Sequence, residues 1–345
     1  MSQVKVFLPG TKTNGGLSQH GRCLINQYGK ASCWDFDDVL KRKENIFTKN
    51  FRRFTRKLID QSYLKFNYID MCSTLFFKLD AWNYSSILSF SGCALGLFEN
   101  AKKQGIKFLE LESPTAHVMH CHEWYEKAGF LHPIEKLWLT RNLRDKMLAE
   151  YQIADKIWVN SDYSFQTFLE RGIPKRKLAR RYLSIDSRFQ KPTNRNKSNA
   201  FNLVYVGSLT VTKGLPLLLE AYHELSLSNT SLILVGGSGS SGMKKFLKKY
   251  NSYGNIVVCP GDPYPHLLDA DLFVYPSWSD GYGFAPREAM GMGVPIIVSE
   301  NTGMKEEIKN ENQGAVFKCG DKNGLKKLVL KYFRNRFWNT SSGVI

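Results

Sequence analysis

Short apolar runs alternate with segments of helical periodicity along nearly the whole chain of 345 residues. Runs bounded by glycine, proline or polar residues predict strands, and apolar positions three or four residues apart predict helices. The predicted strands are 4–8, 87–90, 108–111, 156–159, 201–206, 232–235, 256–258, 272–275 and 296–298, and the helices of the second half include 215–225, 242–250 and 286–291. This alternation predicts an α/β protein with parallel sheets that helices cover on both faces.

A basic, polar segment separates the two halves. Residues 171–197 contain ten basic residues and one acidic residue, and a new strand is predicted to begin at Phe201. Polar segments of this kind are typical of linkers. We therefore expect a first domain over 1–190, a linker at about 190–200 and a second domain over 200–324.

Composition narrows the class of protein. Hydrophobic residues make up 43% and charged residues 23% of the chain, which is typical of globular proteins and excludes a disordered one. The first residues lack the apolar stretch of a signal peptide, and the longest uncharged run, 81–98, is too polar for a membrane span. Seven cysteines without a CxxC pair indicate free thiols in a reducing compartment, so a cytoplasmic protein is expected.

Positive charge is concentrated in the first part of the chain. The formal net charge is +17, and residues 1–200 hold 33 basic and 19 acidic residues against 15 and 12 in the remainder. Such an excess indicates an anionic membrane, nucleic acid or phosphorylated substrate as partner, or else a solvated basic surface.

Segment 325–338 combines five basic residues with apolar positions at helical spacing. It predicts an amphipathic helix that packs on the protein or lies on a membrane.

Two glycine-rich turns follow predicted strands of the second half. Gly207 ends one strand, and the loop after it runs through Ser208 to Lys213 before a helix opens. Glycine lets a backbone approach a phosphate, a helix N-terminus offers unpaired N–H groups, and a lysine adds positive charge. A second turn, which contains Gly237, follows the next strand. Each turn by itself fits either a phosphate site or a plain tight connection.

Segment 272–299 carries the most specific pattern. It predicts a strand, a glycine turn, a short helix and a second strand, with the acids Asp280 and Glu288 on either side of the turn. The spacing suits a ligand with two hydroxyl-rich groups joined by a diphosphate, with Asp280 for a sugar and Glu288 for a ribose. Backbone amides between the acids would then bind phosphate oxygens, and they belong to Gly281, Tyr282, Gly283 and Phe284.

This segment resembles the nucleotide-sugar motif of retaining GT-B glycosyltransferases of family four, in which two glutamates are separated by seven residues. Pro276-Ser277, the Glu-Ala-Met that begins at Glu288 and the Gly-x-Pro that ends at Pro295 stand where that family has them. The resemblance extends across nearly the whole chain. Two departures are Asp280 in place of glutamate and Ser208 where many members have arginine. The resemblance implies two facing Rossmann-like domains with a cleft between them, and a terminal helix that packs back on the first domain.

The resemblance also implies roles for individual residues. His117 would hold the donor sugar, and together with Lys213, Asp280 and Glu288 it forms the expected catalytic set. The other expected donor contacts are backbone or small-residue positions, namely Gly15, Gly16, Gly207, Ser208, Gly237, Gly281, Tyr282, Gly283 and Phe284.

No essential metal or other cofactor is expected. DxD sequences at 35–37 and 269–271 match the manganese motif of the other major glycosyltransferase fold, but such a short pattern arises easily by chance. The GT-B resemblance instead implies that amides and lysine stabilise the departing phosphate. A cluster of histidine, cysteine and glutamate at 117–123 fits no zinc-site spacing.

The activity that the resemblance implies is retaining sugar transfer. We expect a hexosyltransferase that moves a sugar from a UDP- or GDP-sugar to a glycan or lipid-linked acceptor, in the synthesis of a cell-surface polysaccharide or glycoconjugate. The basic first half then predicts docking at an anionic inner membrane surface rather than binding of nucleic acid. The alternatives are a nucleotide-sugar 2-epimerase of the same architecture, a DNA-modifying glucosyltransferase, and a non-catalytic binder of sugar nucleotides or nucleic acid.

Overall fold

The computed structural model describes residues 4–12, 16–38, 62–79, 84–135, 139–190, 192, 198–237 and 239–341. Its internal contacts divide the chain into two compact units. The first unit comprises residues 1–122 and 138–184, and the second comprises residues 123–137 and 185–345. Within the described ranges, every helix is too short or too polar to cross a bilayer.

The first unit is built on a six-stranded sheet in the order β2-β1-β3-β4-β5-β6, in which all described pairs are parallel. Its strands are β1 (Val4–Leu8), β2 (Cys33–Asp35), β3 (Ser86–Phe90), β4 (Phe108–Glu112), β5 (Lys156–Val159) and β6 (Leu178–Arg180). Its described helices are α1 (Gly16–Tyr28), α2 (Ser62–Leu79), α3 (Leu95–Lys103), α4 (Val118–Leu131, which continues into the second unit), α5 (Arg141–Ile153) and α6 (Asp162–Glu170).

The second unit contains another parallel six-stranded sheet, in the order β12-β11-β10-β7-β8-β9. Its strands are β7 (Phe201–Val206), β8 (Thr230–Val235), β9 (Ile256–Cys259), β10 (Leu272–Tyr275), β11 (Ile296–Ser299) and β12 (Gly314–Phe317). Besides the end of α4, the second unit has the described helices α7 (Leu215–Leu225), α8 (Ser241–Tyr250), α9 (Tyr264–Leu268), α10 (Phe284–Gly291) and α11 (Lys322–Ser341). This strand order is that of a dinucleotide-binding Rossmann fold.

Burial explains why the central strands read as continuous apolar runs. Leu272, Phe273 and Val274 are consecutive residues of β10, and all three are fully buried. Because adjacent residues of a strand point to opposite faces, both faces of this strand are covered, as in other parallel sheets. The predicted α/β class with two parallel, helix-covered sheets is therefore confirmed.

The unit boundary differs from the expected linker in two ways. The first unit ends at Ser184, before the expected linker, and residues 123–137 belong to the second unit. The reason for the second difference lies in hydrogen bonds to that segment, because the Val211 amide donates to Glu135 (2.7 Å) and the Tyr125 hydroxyl donates to the Ser279 carbonyl (3.3 Å).

The terminal helix α11 packs on the sheet and on α7 of the second unit. Its apolar residues Leu325 and Val329 are 0% and 2% exposed, and the helix contacts α7, β11 and β12. Lys322 and Lys326 both pair with Glu224 of α7, at 2.5 and 2.9 Å. Apolar positions four residues apart, flanked by lysines that find carboxylates on α7, account for this placement.

Candidate functional site

The second sheet has its topological switch point between β7 and β10. These neighbouring strands begin connections that run to opposite sides of the sheet, because β8 lies beyond β7 and β11 lies beyond β10. In open parallel sheets, ligands bind outside the carboxyl ends of the strands at this point. Gly207 follows β7 there, and the turn that begins at Pro276 follows β10.

The two glycine turns after β7 and β8 touch each other. Gly207 has φ +151°, and a Cβ at Gly236 would stand 2.0 Å from the Gly207 carbonyl oxygen. The fold therefore requires glycine at 236 for close backbone approach. Gly237 is different, since among the described residues no heavy atom lies within 4 Å of the place of its Cβ. Ser208 and Gly237 are both exposed, so they line a surface that a ligand can reach.

Lys213 and Asp280 form the centre of the site. The Lys213 Nζ lies 2.5 Å from Asp280 Oδ2, and the Tyr275 hydroxyl donates to the same oxygen at 2.7 Å. The Lys213 side chain is 26% exposed and that of Asp280 is 15% exposed, so the pair is largely withdrawn from water. The loop that carries Lys213 is held against the turn after β10, because a Cβ at Gly214 would stand 1.9 Å from the Pro276 carbonyl oxygen.

The electrostatics of this pair keep both partners charged. Burial by itself raises the pKa of Asp280, but the Lys213 ammonium and the hydrogen bonds from Lys213 and Tyr275 outweigh burial and hold that pKa below its ordinary value. Burial likewise works against the charge of Lys213, yet Asp280 raises the pKa of Lys213 above its usual range. Burial and the Asp280 carboxylate raise the pKa of Tyr275 well above 10, so its hydroxyl remains a donor.

Two amides of the glycine turn donate hydrogen bonds to Asp280 in this structure. The backbone N–H groups of Tyr282 and Gly283 donate to Asp280 Oδ1 at 3.2 and 2.9 Å. With Lys213 and Tyr275 on Oδ2, the carboxylate accepts four hydrogen bonds, which is about its full capacity. In this arrangement Asp280 folds back onto its own turn, and binding of phosphate oxygens by these two amides stays a prediction.

The remaining residues of the motif lie along α10. Gly283 is its N-cap in the left-handed conformation with φ 77°, Phe284 is its first residue, and Gly281 belongs to the preceding turn. Glu288 is 6% exposed on the buried face of the same helix. The neighbouring Arg287 points elsewhere, because its guanidinium lies 4.4 Å from the Tyr282 ring centroid and pairs with Glu307 at 3.3 Å.

Of the site residues predicted in the first unit, His117 is buried among aromatic rings. His117 is 2% exposed, and its ring centroid lies 5.0 Å from that of Tyr151 and 5.1 Å from that of Phe168. Gly16 is the first residue of α1, and Gly15 lies outside the described residues. The role of His117 toward a sugar therefore stays a prediction.

A buried charge network in the first unit was not predicted. The Glu112 carboxylate, which is fully buried at the end of β4, lies 2.8 Å from His20 Nε2 and accepts from Arg181 Nε at 2.9 Å. Because His20 belongs to α1, the network holds the helix that begins at Gly16. An acid at the carboxyl end of a buried strand is the sequence signal that could have identified it.

Tyr275 was also missed, because the motif draws attention to the acids and glycines around it. Its ring lies 6.1 Å from the parallel ring of Tyr205 on β7, and Lys213 Nζ stands 5.6 Å from its centroid. The signal was a tyrosine near the end of each of two strands that the Rossmann order makes neighbours.

The histidines of the 117–123 cluster have separate partners. His120 Nε2 lies 3.0 Å from the Tyr163 hydroxyl, and Arg144 donates to His122 Nδ1 at 3.3 Å. Among the described residues, no group of three or more histidine, cysteine, aspartate or glutamate side chains is arranged to hold a metal ion. All seven cysteines are described, and none is in a disulfide.

Comparison with known sequences gives related proteins for much of the chain. Residues 186–342, which are nearly the whole second unit, match the family Glycosyl transferases group 1. An uncharacterised 41.2 kDa protein in the cps region of Klebsiella pneumoniae is 24% identical over 264 residues, which cover 74% of this chain and 69% of that protein. The O-antigen chain mannosyltransferase B of Escherichia coli is 28% identical over 149 residues, 39% of this chain and 37% of that enzyme.

Solved structures resemble the fold over almost its full length. HepE of Anabaena, solved in complex with UDP and glucose, has a TM-score of 0.65 and 15% sequence identity. The similarity covers 97% of this chain and 91% of HepE. Neighbours of this kind have the GT-B fold, so the two Rossmann-like units of this chain have that fold as well.

Proposed function

We propose that this chain is a glycosyltransferase that transfers a hexosyl group from a UDP- or GDP-sugar with retention of configuration, a proposal that the match of residues 186–342 to the group 1 family supports. The observation that carries the proposal is the Lys213–Asp280 pair at the switch point of a Rossmann sheet, beside two glycine turns. A cation withdrawn from water at this position suits the diphosphate of a nucleotide sugar.

Lys213 is assigned to the departing diphosphate. An ammonium has three N–H donors, and Asp280 occupies one of them, so the group can also donate to a phosphate oxygen. As the bond between the sugar C1 and the phosphate oxygen breaks, negative charge grows on that oxygen and the fixed ammonium stabilises it. The acceptor hydroxyl oxygen forms the new bond to C1, and its proton passes to the departing diphosphate.

Asp280 is assigned to the positioning of Lys213 rather than to a sugar hydroxyl. Its two oxygens already accept from Lys213, Tyr275 and two backbone amides. An oxygen with filled acceptor sites gains little from a further hydroxyl, whereas the ion pair fixes the ammonium in place before the donor arrives.

Glu288 is assigned to the ribose of the donor. It is the acid of the motif on the helix that follows the glycine turn, and a carboxylate accepts two adjacent ribose hydroxyls well. Ser208 and Gly237 are proposed as exposed contacts of the diphosphate. The roles of His117, Gly15 and Gly16 rest on the resemblance alone.

The relatives support a proposal for the acceptor class. The mannosyltransferase named above is an O-antigen chain enzyme, and the Klebsiella relative is a protein of the cps region. We assign to this chain a glycan or lipid-linked acceptor in polysaccharide synthesis. The net charge of +17 supports work at an anionic membrane surface on the cytoplasmic side.

A panel of UDP- and GDP-sugars, assayed for release of nucleoside diphosphate, tests the proposal. One donor is expected to be consumed, and Glu288→Ala is expected to abolish its turnover while the melting temperature stays within a few degrees. Glu311→Ala is the matched control, since this acid of the same unit is 78% exposed. No turnover and no thermal shift with any donor would overturn the proposal, as would a Glu288→Ala variant with normal activity.

A further inference from the structure

In the second unit, helix α4 ends in exposed apolar side chains. Phe130 and Leu131, the last two residues of α4, are 87% and 56% exposed. Phe130 is the most exposed large apolar side chain among the described residues. Burial of such side chains is favourable, and here they are left in water. A pair of them at a helix end therefore indicates a surface that another phase or molecule covers.

Helix α8 of the same unit is strongly basic on its outer side. Ser240 caps its N-terminus by accepting from the Met243 amide at 3.1 Å. Its apolar residues follow one face, on which Met243 is 1% exposed. The opposite face carries four exposed lysines, Lys244, Lys245, Lys248 and Lys249. Among the described residues no carboxylate forms an ion pair with any of the four.

The exposed tip and the basic helix lie side by side. A Cβ at Gly242, in the first turn of α8, would stand 2.2 Å from the Ile134 carbonyl oxygen. The His132 ring packs on Phe246 of α8 with a centroid distance of 6.1 Å. Ile134 follows Leu131 by three residues, at most about 11 Å of chain, and the lysines of α8 extend over about 10 Å of helix. The two features therefore form one continuous area.

We infer that this tip-and-helix patch, formed by Phe130, Leu131 and the four lysines of α8, docks the protein on an anionic lipid bilayer. Lysines of this density attract the headgroups of anionic lipids, and exposed phenylalanine and leucine side chains enter the boundary between headgroups and acyl chains. The exposed Lys127 on α4 adds one positive charge. By itself it does not outweigh the two exposed acids of that helix, Glu123 and Glu126, so the net positive charge of the patch comes from the lysines of α8. A nucleic acid would use the lysines but not the apolar tip.

This inference moves the membrane contact to the unit with the smaller net charge. The sequence predicts docking through the basic first half, where charge is spread over 200 residues. The patch combines charge with insertable side chains in a small area, which a solvated basic surface lacks. It rests on the proposed function for the choice of a membrane, but binding to lipid needs no donor and is measured separately.

Sedimentation with vesicles of phosphatidylglycerol and phosphatidylcholine tests the inference, with pure phosphatidylcholine vesicles as reference. The full chain is expected to bind the anionic vesicles at low salt. The double variant Phe130→Ser and Leu131→Ser is expected to lower the partition coefficient about tenfold or more. Replacement of the four α8 lysines by glutamine is expected to lower it by several hundredfold, up to about six hundredfold, since each of the four contributes about fivefold.

A matched control removes four charges from the first unit. It replaces four exposed basic residues of that unit by glutamine, namely Lys102, Lys103, Lys175 and Arg176. This control is expected to change vesicle binding less than about threefold, and all variants are expected to keep the melting temperature and the release of nucleoside diphosphate.

Three outcomes would overturn the inference. They are no binding of the wild type to anionic vesicles, unchanged binding of both patch variants, or a loss of binding in the first-unit control that equals the loss in the α8 variant. Vesicle binding by a protein that consumes no nucleotide sugar would leave the inference standing and remove the proposed function instead.

Discussion

Replacement of Lys213 by methionine separates the chemistry of the site from its stability. The substitution removes the ammonium and retains most of the side-chain volume. Asp280 then keeps three donors, the Tyr275 hydroxyl and the amides of Tyr282 and Gly283. Because the carboxylate remains hydrogen-bonded, the free energy of unfolding is expected to fall by only about 1–2 kcal/mol.

The expected effect on catalysis is larger. Loss of one preorganised charge-stabilising group costs about 10²–10³ in rate, or about 2.7–4 kcal/mol of transition-state stabilisation. Asp280→Asn acts differently, since it leaves the 26% exposed ammonium of Lys213 without its counter-charge. Breaking a buried pair in this way costs up to about 3–5 kcal/mol, so Asp280→Asn is expected to destabilise the fold more than Lys213→Met does.

Steady-state kinetics with the donor found by the panel, together with urea unfolding, provide the assay. The control is Lys322→Met, which removes a lysine paired with Glu224 at 2.5 Å in the same unit. A Lys213→Met variant with kcat/KM within about threefold of wild type would refute the assignment of Lys213 to the diphosphate. Equal losses of kcat/KM in Lys213→Met and Lys322→Met would show a structural effect instead.

Three further predictions concern single residues, and a fourth concerns metal dependence. Gly214→Ala is expected to cost about 3 kcal/mol or more of unfolding free energy, because φ is +73° and its Cβ would stand 1.9 Å from the Pro276 carbonyl oxygen. Gly237→Ala, with open space around it, is expected to cost less than about 1 kcal/mol in urea unfolding while raising the donor KM, and the reverse order of stability would contradict the reasoning. Burial raises the pKa of Glu150 to about 7, although hydrogen bonds from the Gly92 and Ala94 amides lower it. The protonated Glu150 side chain therefore stabilises the fold fully below about pH 4.5, its ordinary pKa, and this stabilisation is lost as the pH rises through about 7. The free energy of unfolding of wild type minus that of Glu150→Gln is thus expected to fall by about 2 kcal/mol between about pH 5 and about pH 8, and a flat difference would contradict the burial argument. Treatment with EDTA is expected to leave turnover within about twofold, whereas a loss that Mn²⁺ or Mg²⁺ restores would contradict the absence of an essential metal.

The central strands were readable from the sequence because they are buried on both faces. Strands β1, β5, β7 and β10 have the predicted bounds, since each is an apolar run that ends at a glycine, proline or polar residue. The short edge strands β2, β6 and β12 were not predicted. Each is paired on one side only, and a run of three or four residues is too short to give a period that a sequence pattern could detect.

The sequence by itself determined the fold class, the motif at 272–299 and a set of candidate site residues, because local periodicity and spacing encode them. Only the tertiary structure decided that Asp280 folds onto its own turn and pairs with Lys213, 67 positions away in the chain. It also decided that Glu112 joins His20 and Arg181, and that Phe130 stands beside the lysines of α8. These contacts depend on strand order and on packing between distant elements, and no pattern within a short stretch of sequence records either.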